Sequence, residues 1–260
     1  MKKVFAIVLA AIMLLGVVGM FASCTEKKTE ATKVILGFDA DFPPYGYVND
    51  KNEYVGFDIE YAKKVCANLG YELELKAIDW DAKDQLLNTG AIDFIWNGFT
   101  YEGRENDYEW TARYLNNSIV VLTLDSGIQT LADLAGKKVA VQSDSSGETA
   151  INGKADLKNS FASLSTEAQY VTACEKLVAG SYDAIIVDYG VAQYLQSKNS
   201  SLLILSEAVS QETYAVGFKK GNTALCKAIN DEMVKVGKDE TFIKGLCEKY
   251  GVDYESFLLK

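Results

Sequence analysis

The sequence alternates between segments with the period of a β-strand and segments with the period of an α-helix, and this alternation constrains the fold. In Tyr71–Ala77 apolar residues alternate with charged ones, which is the period of a strand. In Tyr61–Leu69 apolar residues recur at helical spacing, and Gly70 then marks the end of the helix. Repeated along the chain, this pattern predicts an α/β fold whose strands are mostly parallel.

The same alternation continues in both directions. The other predicted strands are Lys33–Phe38, Ile92–Trp96, Lys138–Val141, Ala184–Val187 and Tyr214–Phe218. The other predicted helices are Asp81–Asn88, Glu167–Ala179, Gly190–Gln196, Thr223–Val236 and Glu240–Tyr250. Leu87–Ile95 is similar to Leu177–Ile185, and in each case a buried strand leads into a polar or Gly-rich loop. Two similar lobes with these loops facing a cleft are therefore expected.

The N-terminus reads as an export signal. Lys2 and Lys3 precede an apolar run, Val4–Met20, and small residues follow before Cys24. Because it ends on Cys, the segment resembles a bacterial lipoprotein signal, although Phe21 stands where such signals usually carry Leu. The resemblance implies a leader at 1–23, lipid on Cys24, a polar tether at 24–32, and a protein anchored to the cell membrane that faces the periplasm or the cell exterior. The alternative is an uncut signal anchor in which Cys24 is incidental.

Charge and composition exclude several function classes. The formal net charge is −10, and a field of this sign repels nucleic acid. The chain has no His, so it lacks the usual general base and the commonest metal ligand. We therefore predict no enzyme activity, no metal and no other cofactor. Cys226 and Cys247 fall on consecutive predicted helices, where either a disulfide or buried thiols would fit.

An ordered series of motifs covers nearly all of the chain after the leader. Gly56–Val65 resembles the signature of the polar amino-acid solute-binding proteins of ABC importers, which form family 3 of the bacterial extracellular solute-binding proteins. The flanking segments match in the same order: Gly37–Asp39, Pro43–Tyr45, Gly90–Asp93, Asn97–Thr100 with Arg104, Leu131–Val139, Gln142–Gly147 and Asp183 through Asp188. The resemblance implies a type II periplasmic-binding-protein fold, in which two α/β lobes are joined by a two-strand hinge.

The resemblance also assigns the groups that would bind the two charges of a free amino acid. Arg104 would form paired hydrogen bonds to the α-carboxylate, which a lysine cannot do. The alternative for Arg104 is a surface ion pair with Glu102 or Glu105. Asp188 would accept the α-ammonium, or else cap the helix that follows it. The remaining polar contacts are placed in two loops: Asn97, Gly98, Phe99 and Thr100 in the first, and Ser145, Ser146 and Gly147 in the second.

Specificity is expected from Asp39, Phe42, Tyr45 and Trp80. By the resemblance, the rings of Phe42 and Trp80 sandwich the ligand side chain and Asp39 lies near its far end. Aromatic faces with one carboxylate favour arginine, lysine or histidine. A neutral polar amino acid such as glutamine or cystine is the alternative, and a dehydratase on the same fold is a further one.

The resemblance further implies the domain organisation and the partners. Residues 33–120 and 212–260 form lobe 1 and residues 121–211 form lobe 2, with crossings near Ile119–Leu124 and Ser206–Thr213. Closure of the hinge would bury the ligand. The expected partners are the free amino acid, a membrane ABC permease, and the membrane itself through the lipid anchor. The protein is expected to act as a monomer.

Overall fold

The computed structural model describes residues 31–260, which contain 14 strands and eight α-helices. The strands are β1 Lys33–Phe38, β2 Asp41–Phe42, β3 Gly46–Val48, β4 Tyr54–Val55, β5 Glu72–Ala77, β6 Phe94–Ile95, β7 Tyr108–Trp110, β8 Leu115–Thr123, β9 Lys138–Gln142, β10 Ser163–Glu167, β11 Ala184–Asp188, β12 Leu203–Ile204, β13 Ser210–Tyr214 and β14 Gly217–Lys219. The helices are α1 Phe57–Leu69, α2 Lys83–Thr89, α3 Ser146–Asn152, α4 Ala155–Ser160, α5 Tyr170–Val178, α6 Tyr189–Lys198, α7 Thr223–Gly237 and α8 Glu240–Tyr250.

Two mixed sheets form the two lobes, which confirms the predicted two-lobed α/β fold. The order in the first sheet is β5-β1-β6-β14-β7, and in the second it is β10-β9-β11-β8-β12, with β13 also paired to β8. Each sheet starts with three parallel strands, and antiparallel strands complete it. A three-stranded antiparallel sheet, β2-β3-β4, is added to the first lobe. At the carboxyl ends of the parallel strands, Asn97 follows β6, Gln142 ends β9 and Asp188 ends β11, and all three line the cleft.

The chain crosses between the lobes on two paired strands. β13 runs antiparallel to β8 from the Ser210–Ile119 pair to the Tyr214–Leu115 pair. Beyond that pair, Tyr114 donates its backbone N–H to the carbonyl of Tyr214 at 2.8 Å, and the chain then enters the first lobe. Both predicted crossings fall on or beside these strands. The predicted lobe boundaries, at 120/121 and at 211/212, lie within strands β8 and β13 respectively.

Apolar side chains cover both faces of the second sheet. Ile185 and Val187 of β11 belong to a large core that also includes residues of the first lobe, such as Leu36 and Phe94. Ile186, which lies between Ile185 and Val187, belongs to a separate core on the opposite face. Because successive side chains of a strand point to opposite faces, a strand buried on both sides needs an unbroken apolar run. The run Ala184–Val187 meets this need.

Several predicted elements differ from the observed ones in their bounds, and for two of them sheet pairing is the cause. The predicted helix Glu167–Ala179 begins only at Tyr170, because Ser163–Glu167 pairs in parallel with β9 as an edge strand. The predicted strand Tyr214–Phe218 is interrupted after Tyr214, where the chain leaves the second sheet, and it resumes as β14 in the first. In both cases the ends are set by sheet pairing with distant residues rather than by local periodicity.

The predicted leader, Cys24 and residues 24–30 of the tether lie outside the described residues. Within residues 31–260, none of the helices has both the length and the apolar character that a membrane span requires. The four cysteines of this part of the chain are buried and unbridged: Cys66, Cys174, Cys226 and Cys247. Of the two alternatives for Cys226 and Cys247, the structure therefore has the free thiols.

Candidate functional site

A buried carboxylate holds the first-lobe loop of the site in place. Asp58, the second residue of α1, accepts hydrogen bonds at Oδ2 from the backbone N–H of Gly98 at 2.6 Å and from the hydroxyl of Tyr114 at 2.8 Å. Gly98 has a φ of 56°, and a Cβ at this position would lie 2.7 Å from the ring of Phe42. Only glycine fits this turn without strain. The motif residue Asp58 therefore shapes the loop that carries Thr100.

The position of Asp58 also changes its acidity. Its carboxyl group is fully buried, and Oδ1 has no hydrogen-bond partner among the described residues. Burial raises the pKa of Asp58 to about 7, although the hydrogen bonds from Tyr114 and Gly98 favour the ionised form.

A narrow cavity lies between the two lobes, and nine of the thirteen predicted site residues line it. The first lobe contributes Phe42, Trp80, Asn97, Gly98, Thr100 and Arg104, and the second lobe contributes Ser145, Ser146 and Asp188. Gln142 also lines this cavity and was not predicted. The structure thus brings residues together that are up to 146 positions apart in the sequence, from Phe42 to Asp188.

Aromatic rings form part of the cavity wall. Phe42 packs against Tyr45 at 5.6 Å and Tyr170 at 6.0 Å between ring centroids. Trp80 meets Phe99 edge-to-face at 5.5 Å. Each lining ring is therefore supported by a second ring that holds its orientation.

Arg104 has no carboxylate partner within residues 31–260. Its guanidinium lies over the ring of Phe99 at 5.3 Å, and Nη1 donates to the carbonyl of Thr100 at 3.4 Å. Glu102 instead accepts hydrogen bonds from the N–H and the hydroxyl of Thr213, both at 2.7 Å. The cation thus remains free to bind an anion, and Gly103, with a φ of 80°, forms the turn before it.

Asp188 lies at the carboxyl end of β11 and is only 3% exposed. It occupies the N-cap position of α6, but its side chain makes no capping hydrogen bond. Instead, Oδ1 accepts from Nδ2 of Asn117 at 2.9 Å and from the hydroxyl of Tyr214 at 2.6 Å. Burial raises the pKa of its carboxyl group.

The second-lobe loop is fixed by its own hydrogen bonds. Ser145 caps α3, and its Oγ accepts from the N–H of Glu148 at 3.1 Å. The same Oγ donates to the carbonyl of Gln142 at 2.8 Å. These two bonds bring Ser145 and Ser146 to the cavity wall.

Four predicted residues do not line the cavity. Tyr45 and Phe99 lie behind the lining rings, as described above, and Gly147 packs in α3 close to the hydroxyl of Tyr170. Asp39 accepts from Nε2 of Gln142 at 2.6 Å and from the N–H of Asp41 at 2.8 Å. It lines a neighbouring cavity together with Asp79, Trp80 and Asp81. Burial raises the pKa of Asp39 to about 6.

Two further charged residues at the site were missed by sequence reasoning. Lys83 is 1% exposed and forms an ion pair across the lobes with the carboxylate of Asp144, and its Nζ lies 5.2 Å from the ring of Trp80. Glu212 of β13 is 6% exposed and accepts at Oε1 from the Thr100 hydroxyl at 3.1 Å and from Nδ2 of Asn117 at 2.7 Å. Both line a second cavity that shares Thr100, Arg104 and Ser146 with the first.

A signal in the sequence was available for only one of the missed groups. Gln142 ends β9, a parallel strand that neighbours β11, and Asp188 ends β11 in the same way. Neighbouring parallel strands place their carboxyl ends side by side, so Gln142 could have been predicted. Lys83 and Glu212 carry no comparable pattern.

Within residues 31–260, the site offers one cation without a carboxylate partner, together with buried carboxylates and aromatic faces. Within the described part of the chain, no group of three or more His, Cys, Asp or Glu side chains is arranged to bind a metal ion. The arrangement is suited to a small molecule that carries both charges.

Comparison with known proteins finds similarity to solute-binding proteins over most of the chain. Residues 34–253 match the family described as bacterial extracellular solute-binding proteins, family 3. The L-cystine-binding protein TcyJ of Escherichia coli (strain K12) is 30% identical over 234 residues, which are 88% of this chain and 86% of that protein.

Solved structures resemble the whole described fold. The crystal structure of Tv2483 bound to L-arginine has a TM-score of 0.80 and 32% identity, and the alignment covers 87% of this chain and 93% of that one. An ABC uptake transporter substrate binding protein from Streptococcus pneumoniae with bound histidine has a TM-score of 0.80 and 30% identity, with 84% and 92% coverage.

Proposed function

Because the chain belongs to the bacterial extracellular solute-binding proteins, family 3, we propose that it binds a free amino acid between its lobes and delivers it to an ABC importer. One observation carries this proposal: Arg104, without a carboxylate partner in the described chain, and Asp188, buried in the opposite lobe, line the same cavity. An amino acid carries a carboxylate and an ammonium on one carbon, and these two groups are their complements.

Each lining residue then has a role in binding. Arg104 binds the α-carboxylate through two parallel hydrogen bonds, and Thr100 and the loop at Gly98 add polar contacts. Asp188 accepts the α-ammonium, and Ser145 and Ser146 bind from the second lobe. The residues Tyr45, Phe99 and Gly147 support these groups from behind.

The side chain of the ligand lies between Phe42 and Trp80 and points towards acidic residues. Asp39, Asp79 and Asp81 line the neighbouring cavity, which shares Trp80 with the first. A guanidinium, ammonium or imidazolium is favoured there by cation–π contact and by charge. We therefore propose arginine, lysine or histidine as the ligand. Glutamine or cystine is the alternative, since amides and amino groups also bind to carboxylates.

The experiment is a titration of the purified protein with the twenty amino acids, ornithine and cystine. Binding is measured by isothermal calorimetry and by the shift in thermal unfolding. We expect one chemical class to bind and to raise the melting temperature, because a ligand that binds only the folded state stabilises it. Failure of every ligand to bind would contradict the proposal. If only glutamine or cystine binds, the proposal of a basic ligand is wrong, and the proposed function as an amino-acid-binding protein stands.

Closure of the lobes is part of the proposed function. Hydrogen bonds and an ion pair join the two lobes around the cavity, among them the hydrogen bond of Gln142 with Asp39 and the ion pair of Lys83 with Asp144. The paired strands β8 and β13 would act as the hinge. Ligand binding would then favour the closed state, which a permease recognises.

We also propose that the protein is exported and anchored through lipid on Cys24. A tethered binding protein stays at high local concentration beside its permease. Replacing Cys24 with Ala should release the protein from the membrane fraction of its host, while ligand binding remains unchanged. Retention of the variant in the membrane fraction would favour the uncut signal anchor.

A further inference from the structure

Glu212 is a buried carboxylate on one of the two strands that join the lobes. Its Oε1 accepts hydrogen bonds from Thr100 of the first-lobe loop and from Asn117 of β8. Burial of an ionised carboxylate is costly unless a cation neutralises it. No lysine or arginine nitrogen within residues 31–260 lies within 4.0 Å of Glu212. The side chain therefore has polar contacts but no counter-ion.

A second buried carboxylate lies beside it. Nδ2 of Asn117 donates to Oδ1 of Asp188 at 2.9 Å and to Oε1 of Glu212 at 2.7 Å. One amide nitrogen thus bridges both groups, and Asp188 also has no cation within 4.0 Å in the described chain. Each carboxylate lines a cavity at the site, Asp188 the first and Glu212 the adjoining one.

Two cations line the second cavity with Glu212, but neither pairs with it: Lys83 pairs with Asp144, and Arg104 lies over the ring of Phe99. The hydroxyls of Tyr45, Tyr170 and Tyr214 also face the pair, and all three are buried. Burial keeps the pKa of each well above its ordinary value, so all three stay neutral. For Glu212, burial and then the charge of Asp188 raise the pKa of the carboxyl group. Two adjacent carboxyl groups in such a site cannot both ionise.

We propose that Glu212 and Asp188 together bind the amino group of the ligand, and that this ammonium replaces one proton that the two carboxyl groups otherwise share. The inference rests on the proposed amino-acid binding and extends it to a residue of the hinge. Without ligand, the pair holds one proton and a net charge of −1. With ligand, both groups are ionised, the ammonium keeps its three protons, the shared proton passes to water, and the local charge is again −1.

The test is a proton count. Binding of L-arginine, or of L-cystine where arginine gives no heat, is measured near pH 6.5 in buffers of different ionisation enthalpy. About one proton should be released per ligand bound, and affinity should rise about tenfold per pH unit while the pair is protonated. Binding without proton release would overturn this inference and leave the proposed function intact. Failure of every amino acid to bind would overturn both.

Variants assign the proton to Glu212. In Glu212→Gln the release should fall to about zero and affinity should drop by about tenfold or more, because a charge-assisted hydrogen bond is lost. Glu232→Gln is the matched control, since Glu232 is also buried but lies in α7 and pairs with Asn68 and Lys235. It should release the same proton as the wild type. Unchanged proton release in Glu212→Gln would overturn the inference. If that variant does not fold, the number of protons released by the wild-type protein decides the question by itself.

Discussion

Asp58 accepts the backbone N–H of Gly98 at 2.6 Å, so the first turn of helix α1 holds the loop that carries Thr100. The relationship links a sequence motif to the site without any contact to the ligand. It also places an ionisable group in a fully buried position, where its charge opposes folding.

The stability of the protein should therefore depend on pH through Asp58. The pKa of Asp58 is about 7 in the folded state, and its ordinary value is 3.8, so the folded state binds more protons between these values. The free energy of unfolding should fall as pH rises from about 4 to about 7, by on the order of 2–4 kcal/mol from this group. Urea unfolding at a series of pH values measures this slope. Asp58→Asn should show a flatter profile, and an unchanged profile would contradict the assignment.

Replacing Arg104 with Ala should abolish binding of every ligand in the panel. The loss should be at least about 100-fold in affinity, because two charge-assisted hydrogen bonds to the carboxylate disappear. Arg113→Ala is the control: this arginine is 54% exposed in its side chain and lies 3.7 Å from Glu102. Calorimetry compares the two variants. Equal affinities would show that the carboxylate binds elsewhere.

Trp80 should report ligand binding through its fluorescence. Its ring lines the cavity, whereas Trp110 packs against Phe99 at 4.9 Å and does not. Trp80→Phe should lose most of the fluorescence change on binding and about tenfold in affinity for a cationic ligand. Trp110→Phe should keep the change. A signal that survives in the first variant and disappears in the second would contradict this arrangement.

The ion pair between Lys83 and Asp144 should respond unequally to removal of its two partners. Lys83 is 1% exposed and the side chain of Asp144 is 53% exposed. Asp144→Asn leaves a buried cation and should lower the free energy of unfolding by about 1–2 kcal/mol, a loss that is limited because solvent screens the exposed Asp144. Asn also tolerates the φ of 56° at this position. Lys83→Met leaves only a hydrated carboxylate, so denaturation curves should show a smaller loss for it.

The thiols of Cys226 and Cys247 should be free but unreactive in the native protein. Both are buried, and burial raises the pKa of each to about 11. Alkylation without reductant should label both residues after unfolding and neither of them rapidly before it. Mass spectrometry counts the labels. Absence of label on both residues after unfolding would indicate a disulfide.

Local sequence patterns predicted the elements whose ends are set locally. β1 was predicted with its observed bounds, and α1 ends at Leu69 because Gly70 adopts the left-handed conformation that follows a helix. The resemblance to a family added most residues of the candidate site. Neither source predicted β10 or the break after Tyr214, because both depend on pairing with other strands.

The residues that were missed have partners far away in the sequence. Glu212 accepts hydrogen bonds from residues 112 and 95 positions earlier, and Lys83 pairs with a residue 61 positions later. Such contacts leave no periodic signal. Asp39 was expected at the end of the ligand, yet its carboxylate is already hydrogen-bonded to Gln142 of the other lobe. A motif around Asp39 does not show that Gln142 of the other lobe occupies the same carboxylate that a ligand would use.

The paired strands β8 and β13 carry Asn117, Glu212 and Tyr214, whereas Phe42 and Trp80 lie on separate segments of the first lobe. Asn117 and Tyr214, which donate hydrogen bonds to Asp188, thus lie on the strands that join the lobes, whereas the rings of Phe42 and Trp80 do not. Substitutions at Phe42 or Trp80 should therefore change which solute binds while the paired strands β8 and β13 keep their geometry. Such a separation would allow the ligand specificity of this fold to change during evolution while the connection between the lobes stays the same.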